Sequence, residues 1–71
     1  MKRYTVIIEE AAGNFAAYAP DVPGCIATGA THDEVVERMA EALELHLEML
    51  SAMGQQIPEA CTQAAVVSVA S

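Results

Sequence analysis

The chain has 71 residues, 54% of them hydrophobic, with three Lys and Arg against ten Asp and Glu and a formal net charge of −7. A chain this short is one small domain, residues 1–71, that buries only about 60% of its unfolded surface, and a homo-oligomer is the expected remedy for its marginal stability. The three cations Lys2, Arg3 and Arg38 are too few to release counterions from a nucleic acid or to adhere to anionic lipid, so neither direct nucleic-acid binding nor membrane association is expected.

No run approaches the ~20 apolar residues of a membrane span. Glu9 and Glu10 fall where a signal peptide needs its apolar stretch, so a cytoplasmic location is expected.

Residues 3 to 9 alternate, with Tyr4, Val6 and Ile8 on one face and Thr5, Ile7 and Glu9 on the other, which predicts a strand. Ala11-Ala12-Gly13-Asn14 supplies a turn, and Phe15 to Ala19 completes a hairpin. Pro20-Asp21-Val22-Pro23-Gly24 breaks any central strand, because proline has no N–H for a ladder, and Asp21 is read as a turn residue. Cys25 to Thr28 is a short third strand ended by Gly29.

Thr31-His32-Asp33-Glu34 is a capping box: the Thr31 hydroxyl takes the Glu34 N–H, and the Glu34 side chain reaches back to the N–H of Thr31. The helix so begun runs unbroken to Met53, and Gly54 and Pro58 stop it. Cys61 to Val69 alternates weakly and ends β-branched, which predicts a last strand. The expected fold class is α+β, in the order β-β-β-α-β, one antiparallel sheet covered on one face by a single long helix.

Stepping 100° per residue puts Val35, Val36, Met39, Leu43, Leu47 and Leu50 on the helix face that should cover the sheet. Ala42, Leu45, Met49 and Met53 form a second apolar flank. Together the two arcs are about twice the ~100° stripe of an ordinary surface helix, so the flank is the expected oligomer interface. Glu34, Glu37, Glu41, Glu44 and Glu48 stack on one stripe with only Arg38 to offset them. The stripe is either a solvated face that keeps an apolar protein in solution or a dock for a basic partner, for which Glu37, Glu41, Glu44 and Glu48 are the candidate residues.

Catalytic chemistry leaves no comparable signature. His46 lies within the apolar arc with no second His at i+4, and His32 sits in the first helical turn. Cys25 and Cys61 have neither metal-ligand spacing nor a disulfide framework around them, and read as small apolar residues. No phosphate loop or dinucleotide fingerprint occurs, and the glycines punctuate turns. No catalytic residue, metal or cofactor is expected.

Three stretches resemble the HicB-like antitoxin family: Tyr4 to Glu9 with Phe15 to Tyr18; Pro20-Asp21-Val22-Pro23-Gly24-Cys25 with Thr28-Gly29-Ala30-Thr31; and Glu41 to Leu47 leading to Gly54 and Ile57-Pro58. The resemblance implies a degenerate ribonuclease H-like domain without catalytic acids, which binds and neutralises a small, basic, mRNA-cleaving toxin of the HicA type. Longer members add a C-terminal DNA-binding segment; this sequence stops after the last predicted strand, so operator binding is not expected. The alternative function is an orphan oligomeric module with no toxin partner, holding a small apolar ligand against its second flank.

Overall fold

A computed structural model describes residues 2–70. Strands β1 (Ile7–Ala11) and β2 (Asn14–Tyr18) pair antiparallel, from Ile7 opposite Tyr18 to Ala11 opposite Asn14, around the two-residue loop Ala12-Gly13. Gly13 has φ +72°, a conformation that a side chain would strain. Strand β3 (Ile26–Gly29) pairs antiparallel with β2, giving the order β1-β2-β3.

The hairpin, the third strand and the long helix agree with the sequence reading, but β1 starts at Ile7 rather than Arg3 and runs on through Glu10 and Ala11. The tight loop draws Ala11 into the ladder. At the other end the register would set Thr5 opposite Pro20, which has no N–H to offer.

Between β2 and β3 the chain folds back on itself. Val22 N–H donates to Ala19 O at 3.1 Å and Cys25 N–H to Val22 O at 3.2 Å, with Gly24 at φ +84°. This puts Val22 at the centre of the core, fully buried.

Helix α1 (His32–Ala52) starts at Thr31, whose hydroxyl accepts from the Glu34 N–H at 3.1 Å. The Glu34 carboxylate reaches back to the N–H of Ala30, at 2.8 Å, and not to that of Thr31. The box therefore closes one residue earlier than predicted. Asp33 and Glu34 occupy the positive end of the helix dipole. At the far end Gln55 N–H reaches Leu50 O and Gly54 N–H reaches Ser51 O, with Gly54 at φ +74°, a Schellman closure.

Ala17, Ala19, Val22, Cys25, Val35 and Met39 make up the buried core, with Tyr4, Val6, Ile8, Phe15 and Leu43 among its half-buried margin. The helix packs chiefly over β3 and β2, so Val36, predicted to face the core, stands 44% exposed. Gly29 does not merely punctuate a turn. It is buried, and a Cβ there would lie 2.8 Å from the Val35 backbone nitrogen, so its missing side chain lets the helix close on the sheet.

The predicted last strand, Cys61 to Val69, does not form: no helix or strand occurs among residues 55–70. Thr62 is held by side-chain bonds instead of a ladder, and beyond it residues 63–70 are exposed.

Candidate partner-binding surface

At about 1.5 Å per residue the 21-residue helix is about 31 Å long, nearly twice a five-residue strand. Its surface divides into three strips. The strip around Val35 and Met39 is buried. Opposite it, Glu37, Glu41, Glu44 and Glu48 are all exposed at spacings of four, three and four, and so share one face.

Arg38 does not serve those four. Its guanidinium lies 3.5 Å from Glu34 Oε1 and donates to Thr28 O at 3.1 Å, bracing the helix against β3. Among the described residues no Lys or Arg comes within ion-pair distance of Glu37, Glu41, Glu44 or Glu48, and the face presents four exposed carboxylates to solvent.

The flank predicted for an oligomer is partly in place. Leu45, Met49 and Met53 are large and exposed, Leu45 at 67%. Ala42 sits apart from them, half-buried against the core, because it turns toward the sheet rather than outward. The flank and the acidic face are neighbours on one helix.

Asp21 is more than the turn residue the sequence suggested. Its carboxylate accepts from the backbone N–H of Cys61 (3.0 Å) and of Thr62 (2.8 Å), from the Thr62 hydroxyl (2.6 Å) and from the Cys61 thiol (3.2 Å). These bonds, those from Thr62 first, lower its pKa from the ordinary 3.8 to about 2. Tyr4 Oη to Pro58 O (2.6 Å) and Thr5 Oγ1 to Thr62 O (2.8 Å) complete the clasp. Sequence reasoning missed it because the partners lie about forty residues apart; a short polar Cys-Thr pair in an otherwise featureless tail was the only trace.

The hydrogen bond to Asp21 pushes the Cys61 thiol up, and burial does the same to Cys25. Both shifts run against a thiolate nucleophile. His46 is half-buried beside the turn at Gly24, and the His32 ring meets Phe15 edge-on at 6.3 Å. Among the described residues no three His, Cys, Asp or Glu side chains gather as metal ligands, and no helix is long and apolar enough to cross a membrane.

The fold is a small α+β domain whose prominent features are an acidic helix face, an exposed apolar flank and a clasped tail. Residues 4–70 match the HicB-like antitoxin family of bacterial toxin–antitoxin systems, and the chain belongs to that family. It is similar to a UPF0150 protein of Synechocystis, 39% identical over 79% of this chain and 72% of the relative, and to one of Archaeoglobus fulgidus, 39% identical over 69% and 71%. It also resembles an uncharacterized 14.9 kDa protein of Haemophilus phage HP1, 30% identical over 79% of this chain but only 42% of the phage protein. No solved structure matches the chain. Membership suggests an antitoxin role, non-enzymatic, with a toxin as partner.

Proposed function

We propose that this chain neutralises a basic HicA-type mRNA-cleaving toxin in the cytoplasm by binding it, with Glu37, Glu41, Glu44 and Glu48 as the electrostatic dock. The observation that carries the reading is the exposure of four carboxylates on one helix face with, among the described residues, no Lys or Arg paired to them, in a chain of an antitoxin family. Complementary charge of this kind accelerates encounter and selects the partner more than it deepens affinity. The same excess of acid leaves the chain unsuited to grip nucleic acid directly, so inhibition works by covering the toxin and not by competing for RNA.

Leu45, Met49 and Met53, with Ala42 at the inner edge, are proposed as a contact between copies. The three exposed side chains line up as one apolar strip along the helix, a feature that marks interaction surfaces when rimmed by polar residues.

The deciding measurement is stopped-flow association with a basic toxin of the HicA type, across a salt series. A rate that falls steeply with salt in the native chain, and is slower and flatter when the four glutamates are changed to glutamine, is the expected result. A salt-independent rate in the native chain removes the acidic dock, and failure of any basic nuclease to bind removes the antitoxin reading.

A further inference from the structure

Two segments have no strand partner among the described residues. Lys2 to Val6 run on from β1 outside any ladder, and residues 63–70 lead away from the clasp, with Val66 fully exposed, Val67 76% and Val69 80%. The molecule is elongated: its radius of gyration is 13.9 Å over extents of 49 × 27 × 19 Å, against about 11 Å for a compact chain of this length. β-Branched residues are suited to a pleated, half-buried surface, yet Val66, Val67 and Val69 stand exposed on their own chain.

The matching surface lies along the free edge of β1. The helix leans toward β3 and leaves the β1 side of the core open as a groove of about 200 Å³ between Tyr4, Val6 and Ile8 on one wall and Val36, Met39 and Leu43 on the other. The groove widens toward Leu47 and Lys2 into a further space of about 600 Å³. The opposite sheet edge is not equivalent, because Arg38 already occupies the outward carbonyl of Thr28.

We infer that residues 63–70 of one copy add as a strand to the β1 edge of a second copy, closing its groove, with the exchange made reciprocally. Alternation puts Ala65, Val67 and Val69 on one side of the arm, where they continue the row of Tyr4, Val6 and Ile8 over the groove. The arm spans about 26 Å at 3.3 Å per residue, enough to run the length of that edge. Charge chooses the occupant. Two chains of net charge −7 repel, yet residues 60–70 carry no charged side chain, so the arm enters another copy without bringing acid to acid. The clasp at Asp21 fixes the root of the arm and so the direction in which it leaves. This contact lies across the helix from the Leu45–Met49 flank and does not depend on the antitoxin reading.

The test mixes isotope-labelled with unlabelled full-length chain and measures intermolecular nuclear Overhauser effects, alongside the mass in solution of the native chain and of a Val67→Lys, Val69→Lys variant. Expected are contacts from Val67 and Val69 methyls of one copy to Tyr4, Val6 and Ile8 of another, and a roughly twofold lower mass for the variant. The variant keeps its helical circular-dichroism signal, because neither valine is buried within its own chain. The inference is overturned if the native chain is a monomer from micromolar to millimolar concentration, if the assembly survives both lysines unchanged, or if the groove is filled by a small apolar ligand in a monomeric chain.

Discussion

Asp21 and Thr62 stand 41 residues apart in sequence and meet through two hydrogen bonds, from the backbone N–H at 2.8 Å and from the hydroxyl at 2.6 Å. Thr5 holds the carbonyl of the same threonine, so both the backbone N–H and the backbone C=O of Thr62 are gripped. That one residue decides where the tail leaves the body.

Replacing Asp21 with Ala should free the tail while leaving the sheet and helix intact. The amides of Cys61 and Thr62 lose their acceptor, and their hydrogen-exchange protection should fall to that of residues 63–70. Protection retained at Thr62 would show that the Thr5 and Tyr4 contacts suffice.

The clasp should also titrate. The Asp21 pKa is lowered from 3.8 to about 2, so the folded form favours the carboxylate. Its contribution is complete above the unfolded value and is lost as pH falls through about 2. The Thr62 amide shift should be constant from neutral pH to about 4 and move below that, with its midpoint near 2. A midpoint near 4 would mean the four bonds do not form in solution.

Gly29→Ala should destabilise the fold by about 1–3 kcal/mol, the usual cost of overpacking. The added methyl would meet backbone, the Val35 nitrogen at 2.8 Å, and backbone at a helix start cannot swing aside as a side chain can. Thermal unfolding measures it; a change within error would mean that the helix start shifts freely.

Thr31→Ala removes the acceptor of the Glu34 N–H and should cost about 1 kcal/mol. Thr31→Asp should recover most of that, since a carboxylate caps as well as a hydroxyl and suits the dipole. Equal loss in both variants would assign the effect to something other than the cap.

Changing Glu37, Glu41, Glu44 and Glu48 to Gln should raise stability slightly even as it slows partner association. Two like-charged i,i+4 pairs disappear, each worth about 0.2–0.5 kcal/mol of repulsion. A higher melting temperature with a slower, less salt-dependent association would separate what the face does for a partner from what it costs the fold.

Local patterns determined most of what could be read from the sequence alone. The Ala12-Gly13 loop, the Thr31–Glu34 cap and the Gly54 stop each rest on bonds within a few residues, so their chemistry is written in neighbouring letters. The acidic face was legible for the same reason, because helical periodicity converts spacing directly into geometry. Tertiary structure decided what depends on distant partners. It shifted the capping bond to Ala30, turned Val36 outward by leaning the helix over β3, moved Ala42 into the core margin, and left Cys61 to Val69 without a ladder. A strand is defined by its neighbour, and nothing in residues 61–69 specifies one. Asp21 shows the same limit from the other side: its turn role follows from Pro20 and Pro23 beside it, but the four bonds it accepts depend on where the helix delivers the tail.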